Sequence, residues 1–114
     1  MAKELENLQV LQVNWEDTIN QKLDKEELAT ILQTMYHCDQ SVLVHCAQGK
    51  SRSGVICIAF LAMLTPTVAL ENIAKQVKSR REMAEPNQGF MQQLHQFEKE
   101  QFFVKLHQDV VKNL

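Results

Sequence analysis

The chain lacks an excess of charge of either sign: 12 Lys and Arg stand against 14 Asp and Glu, a formal net charge of −2 over 114 residues. Duplex nucleic acid usually needs a concentrated basic face, so no nucleic-acid partner is expected and any anion selectivity must be local. A long hydrophobic run is missing as well. The longest, GVICIAFLAML at residues 54–64, falls far short of the roughly 20 residues that cross a bilayer, so no membrane span is expected and the run reads as a buried helix. Cysteine is scarce and odd in number. Cys38, Cys46 and Cys57, with no secretory signal ahead of them, argue against a disulfide framework and for a reducing compartment, the cytoplasm or the nucleus. Internal repeats and low-complexity tracts are absent too. At 45% hydrophobic residues, the chain is expected to form a single domain over residues 1–114, near the lower end of what builds its own core.

What is present alternates between strand and helix signals. LQVLQV at 8–13 gives way to the polar NWEDT, predicting a strand followed by a loop. In DKEELATILQTMYH, Asp24 and Glu27 have capping-box spacing, and Leu28, Ile31, Leu32 and Met35 share one helical face. CDQ then turns the chain into SVLVH at 41–45, a continuous apolar run typical of a buried parallel strand. Strand, helix, strand is a right-handed crossover unit, so the expected class is α/β with a small parallel sheet.

Beyond it, SRSGVICIAFLAML predicts a central buried helix ended by Pro66. Thr67 is expected to N-cap a helix carrying Leu70, Ile73, Ala74 and Val77, which closes in the basic run KSRR. EPNQGF is expected as a turn, with Pro86 and Asn87 leading into a last helix that points Phe90, Leu94 and Phe97 inward. The same helix is expected to continue as an extension over 98–114, with Phe103, Leu106, Val110 and Leu114 at helical spacing.

The stretch HCAQGKSRSG, residues 45–54, ends the second strand and opens the central helix near Ser51 or Arg52. Its loop would turn backbone N–H groups around a concavity at the positive end of a helix, which is a ready anion site. Gly49 permits so tight a loop, and Arg52 adds a planar fork of donors matched to two phosphate oxygens. Cys46 would project into the same concavity, where helix end, amides and guanidinium favour thiolate and lower its pKa well below the free value of about 8.5. Such a thiolate is placed for in-line attack on a phosphate monoester, giving a cysteinyl-phosphate that water hydrolyses. Ser53 could hydrogen-bond the sulfur and help it leave. The departing oxygen needs a proton from a carboxylic acid on another loop, and NWEDT is the natural place, since ligands bind at the carboxyl ends of parallel strands.

His45, Cys46, five residues, Arg52 and Ser53, followed by a long apolar helix and then by EPNQGFMQQLHQFE, resemble the cysteine-dependent protein tyrosine phosphatase superfamily, most nearly its dual-specificity branch. The resemblance covers residues 9–98. It implies a phosphatase-like domain with a buried central helix after the phosphate loop and packed C-terminal helices. It further implies Cys46 as nucleophile, Arg52 as phosphate and transition-state ligand, Ser53 as the hydroxyl aiding thiolate departure, and His45 orienting and acidifying the cysteine. The backbone of Ala47, Gln48, Gly49, Lys50, Ser51 and Arg52 would form the phosphate cradle, with neither metal nor cofactor. The implied substrates are phosphorylated proteins, at phosphotyrosine and at phosphoserine or phosphothreonine.

Two departures from the family pattern carry expectations of their own. The chain starts almost at the acid-bearing strand, so a shortened domain is expected, either truncated or completed by another chain. That motivates a rival reading, a phosphatase-like module that binds phosphorylated proteins as a competitor or scaffold and turns them over weakly. The general acid is Asp17 by preference, because the Asp-Thr pair and Leu23 match the family's acid loop, although Asp17 lies nearer the nucleophile than usual. Asn14 has the better spacing but no titratable proton, and Glu16 is the fallback. A phosphoinositide or RNA 5′-phosphate as substrate finds little support in a loop with one lysine.

The remaining residues receive plainer readings. Lys50 is an exposed loop lysine at the pocket rim. Cys38 and Cys57 are inert core thiols, a regulatory disulfide with Cys46 being the alternative. His95 and His107 are surface residues, and KSRR is a solvated helix end. Phe102, Phe103, Leu106, Val110 and Leu114 pack on the domain or, as an apolar extension long for so small a core, make a homodimer or bind a partner helix.

Overall fold

Helix α2, Ser51–Leu64, is the axis around which the rest of the chain packs. The computed structural model describes residues 15–16, 18–37, 51–80 and 86–112, with backbone alone at 51–53 and 112. The other helices are α1 (Lys25–Tyr36), α3 (Leu70–Arg80), α4 (Gln88–Lys99) and α5 (Phe102–Lys112), and α2 touches all of them. Among the described residues all regular structure is helical; the strands expected at 8–13 and 41–45 and the CDQ turn lie outside them.

A helix surrounded on every side must be apolar on every side. Accordingly Val55, Ile58, Ala59 and Met63 of α2 are at most 1% exposed, while Leu61 and Leu64, at its far end, reach 37%. Burying Val55, Ile58 or Met63 contributes about 1.5–3 kcal/mol each relative to exposure. The helix stops as expected before Pro66. Thr65 donates from both its backbone N–H (2.9 Å) and its hydroxyl (2.7 Å) to the Leu61 carbonyl. The Met63 carbonyl, also in the last turn, is met by Nδ1 of His107 on α5 at 2.9 Å. His107 is therefore not the surface residue expected but a half-buried cap on the central helix.

Helix α1 begins where the sequence places it. Asp24 Oδ1 accepts from the N–H groups of Glu26 (2.8 Å) and Glu27 (3.3 Å), and Leu28, Ile31 and Leu32 face the core, with Met35 packed partly against it. Helix α3 begins later than expected. The chain turns through residues 65–69, so Ala69, not Thr67, precedes the first helical residue, and the Leu70 N–H is satisfied from α4, by Glu98 Oε2 at 2.7 Å. Leu70, Ile73 and Val77 are buried as the spacing requires.

The expected single last helix is two. Asn87 N-caps α4 by accepting from the Phe90 N–H at 2.9 Å, and α4 buries Phe90, Leu94 and Phe97. The chain then breaks at Glu100 and Gln101, the latter with φ of 64°, before α5 begins at Phe102. The break redirects the apolar face, so that Phe103, Leu106 and Val110 return to the core shared with α1, α2 and α4. These residues are thus buried within the chain's own fold, while Leu114 lies outside the described residues.

Candidate active site

The residues expected to do chemistry straddle the border of the described structure. His45, Cys46, Ala47, Gln48, Gly49 and Lys50, the acid candidate Asp17 and its neighbour Asn14 lie outside the described residues, as do Cys38 and Arg81. Ser51, Arg52 and Ser53 form the first turn of α2, whose start agrees with the expected loop-to-helix boundary. Gly54 and Val55 directly behind are buried, so α2 enters the core within its first turn, and the first amides of any helix, which have no partner within the helix, make its start a positive end. The start of this interior helix is where the sequence places the anion cradle. Glu16, the fallback acid, is exposed. Cys57 is a free, half-buried thiol packed against the core, consistent with a structural role. His95 is half-exposed, with Nδ1 3.8 Å from Glu98 Oε1.

Both sides of position 17 are described, and both rest on α4. Trp15, 3% exposed, lies against the buried Phe90 with ring centroids 6.3 Å apart and planes tilted by 52°. The Ile19 backbone passes so close to Gly89 that a Cβ at residue 89 would come within 2.8 Å of the Ile19 Cα. Only glycine leaves room for that approach. One turn further along α4, the Gln93 side chain reaches the chain beyond the loop: its Oε1 accepts from the Leu23 N–H at 2.6 Å, and its Nε2 donates to the Gln21 carbonyl at 2.8 Å. The loop is also tied to itself. Glu16 N–H donates to Gln21 Oε1 (3.0 Å), Thr18 N–H to the Glu16 carbonyl (2.9 Å) and Gln21 N–H to the Thr18 carbonyl (3.3 Å).

The segment then runs on along α4 into α1. Lys25, the first residue of α1, forms an ion pair with Glu100 and sits with Nζ 5.4 Å from the centroid of the Phe97 ring. Gly89, Gln93 and Phe97 recur at steps of four and, with the C-cap residue Glu100 three further on, form one stripe along α4. Against that stripe lie, in the same order, Ile19, Gln21 with Leu23, and Lys25. Because α4 also packs on α2, one helix links the loop expected to carry the acid to the helix that opens at the expected phosphate site. Gly89 and Gln93 lie within EPNQGFMQQLHQFE, but no local pattern gives them a task, because their partners are some 70 residues away in the chain. Glu98 and His107 escaped for the same reason.

Comparison with known proteins gives a consistent result. The family described as "Dual specificity phosphatase, catalytic domain" matches residues 1–100. Human dual specificity protein phosphatase 4 is 44% identical over 72 residues, 63% of this chain and 18% of that protein. Dual specificity protein phosphatase 1 of Arabidopsis thaliana is 40% identical over 96 residues, 80% of this chain and 48% of that protein. The chain thus spans half or less of the length of these curated relatives. Among solved structures, the crystal structure of DUSP15 superimposes with a TM-score of 0.81 at 26% identity, covering 91% of this chain and 67% of that one. A mouse putative dual specificity phosphatase, solved in complex with zinc tungstate, gives 0.68 at 30% identity, covering 84% and 61%. The arrangement of helices around α2 is therefore that of a phosphatase-like fold.

Proposed function

The chain belongs to the dual specificity phosphatase catalytic-domain family, and from that premise we propose that it removes phosphate from phosphotyrosine and from phosphoserine or phosphothreonine on protein substrates, in the cytoplasm or nucleus, through a cysteinyl-phosphate. The observation that carries this reading is a family match over residues 1–100 that contains the whole of HCAQGKSRSG. Two features support it: the start of α2 at Ser51, and its buried course from Gly54 onward. The tungstate in the mouse relative's crystal is a tetrahedral oxyanion of phosphate's shape. On this reading, the stretches 8–13 and 41–45, expected from the sequence as strands, would supply the small parallel sheet of the fold.

The chemistry follows from the residue types. The Cys46 thiolate, oriented by His45, attacks phosphorus; the S–P bond forms as the P–O bond to the side chain breaks. Asp17, protonated, gives its proton to the leaving oxygen. Arg52 and the amides of Ala47, Gln48, Gly49, Lys50 and Ser51 hold the equatorial oxygens as charge spreads over them. Asp17, now a carboxylate, takes a proton from water as that water attacks the cysteinyl-phosphate. Inorganic phosphate leaves, and Ser53 hydrogen-bonds the returning thiolate.

Turnover of an aryl phosphate by the purified chain tests this. Cys46→Ser is expected to abolish it, a loss of about a thousandfold or more. Unchanged turnover in that variant would exclude the nucleophile. Phosphopeptide affinity without any release of phosphate would assign the chain the role of a phosphoprotein-binding competitor or scaffold instead.

A further inference from the structure

Gln93 occupies a position that calls for a side chain able to donate and accept at once. It faces an obligate donor, the Leu23 N–H at 2.6 Å, and an obligate acceptor, the Gln21 carbonyl at 2.8 Å, both at partly buried positions. Its Nε2 also lies 3.3 Å from the Gly89 carbonyl of its own helix, which orients the amide. The network continues from there toward position 17. Gln21, whose backbone Gln93 holds, folds its side chain back so that Oε1 accepts from the Glu16 N–H at 3.0 Å, while its Nε2 donates to the Lys22 carbonyl at 2.9 Å. Hydrogen bonds thus run from α4 through Gln21 to the residue immediately before Asp17. Packing reinforces them on each side, through Trp15 on Phe90 and Ile19 on Gly89.

We infer that Gln93, acting through Gln21, is a positioning residue for the general acid: it sets the place of the loop that delivers the proton without itself touching substrate. This role presupposes phosphatase chemistry with Asp17 as the acid. Proton transfer demands hydrogen-bond reach between acid and leaving oxygen, and a displacement of about 1 Å at a reacting group can cost a hundredfold. A loop fastened only at its far ends would leave that distance to chance. The two glutamines take up the slack between a rigid helix and the acid, and the attachment point is the helix that also packs on α2.

The role is distinguishable from a merely structural one by what it does to leaving groups. A misplaced acid slows expulsion of a basic phenoxide far more than that of an acidic one, whereas general loosening slows both alike. The experiment measures kcat/KM of the full chain over aryl phosphates from 4-nitrophenyl to phenyl phosphate. Asp17→Asn is expected to steepen the dependence on leaving-group acidity. Gln93→Leu, close in volume but unable to donate or accept, is expected to steepen it in the same sense. Its loss should be about 10- to 100-fold on phenyl phosphate and several-fold smaller on the nitrophenyl ester. Gln21→Ala, which cuts the network at a half-buried surface residue and leaves the core intact, is expected to do likewise and decides the matter should Gln93→Leu fail to fold. Adding Gln93→Leu to Asp17→Asn should cause no further steepening, since both act on one proton transfer. Equal losses across the series in Gln93→Leu, a dependence in Gln21→Ala no different from that of the unaltered chain, or additivity with Asp17→Asn would overturn the role. Turnover independent of Cys46, or a shallow dependence in Asp17→Asn, would overturn the underlying chemistry as well, and those results are read before either glutamine is altered.

Discussion

Glu98 does for α3, from another helix, what a serine or threonine side chain commonly does from the adjoining turn. Its Oε2 accepts from the Leu70 N–H at 2.7 Å, placing a carboxylate at the positive end of α3. Glu98→Ala is expected to lower the free energy of unfolding by about 1–2 kcal/mol in a urea titration, and Glu98→Gln by a fraction of that, because the amide oxygen still accepts. Asp24→Ala, which removes the acceptor at the head of α1, is expected to cost about 1 kcal/mol in the same assay. Only one of these two caps was legible in the sequence. Asp24 serves amides two and three residues on, within the reach of a local pattern; Glu98 serves one that lies 28 residues before it. Thr67 had the right chemistry but not the right place, since the turn after Pro66 delays the helix to Leu70. His107, expected at the surface, meets a carbonyl 44 residues away.

Among the elements, the junction of α4 and α5 shows what helical spacing does and does not reveal. From Phe97 to Phe103 an unbroken helix would turn by about 600°, leaving the two apolar faces roughly 120° apart. The chain resolves the mismatch by breaking, with Gln101 in the left-handed region that favours glycine. Gln101→Gly is accordingly expected to raise stability by roughly half a kcal/mol, the relief of strain being partly offset by the greater freedom of the unfolded chain. A fall in the urea midpoint would contradict the break. The inward residues of every helix were legible because each repeats locally: Leu28 and Leu32, Leu70 and Ile73, Phe90 and Leu94 are all buried. The break was also legible in principle, since the phase shift is written in the order of apolar residues. What periodicity cannot convey is a fold-back whose reward is collected on a different element.

For the molecule as a whole, the single tryptophan is a built-in reporter. Trp15 belongs to the same cluster as the helical core and is 3% exposed, so its emission is expected to be blue-shifted in the folded chain. Its red shift on urea unfolding should coincide with the loss of helical circular dichroism, because the stretch just before position 17 and the helices share one core. A separate, earlier fluorescence transition would show that this flank detaches on its own. The family was legible from HCAQGKSRSG because that pattern is contiguous in the chain, and α2 starts at Ser51, where the loop-to-helix boundary is expected. The contacts that α4 makes around position 17 were not readable, since Gly89, Phe90 and Gln93 acquire their meaning only from Trp15, Ile19, Gln21 and Leu23 packed against them.

The stripe of α4 that meets residues 19–25 has a consequence for how this fold tolerates change in length. The stretch from Gly89 to the C-cap residue Glu100 rises about 16 Å along the helix axis, and the six steps from Ile19 to Lys25 extend to about 22 Å at most. The two lengths are gauged against each other, like the scales of a vernier. One residue inserted between Gln93 and Phe97 would swing Phe97 and Glu100 through about 100° away from Lys25 while Gly89 and Gln93 kept their grip on the other end. Insertions and deletions are therefore excluded from the middle of α4 even at exposed positions, and variation in length belongs outside the span it measures.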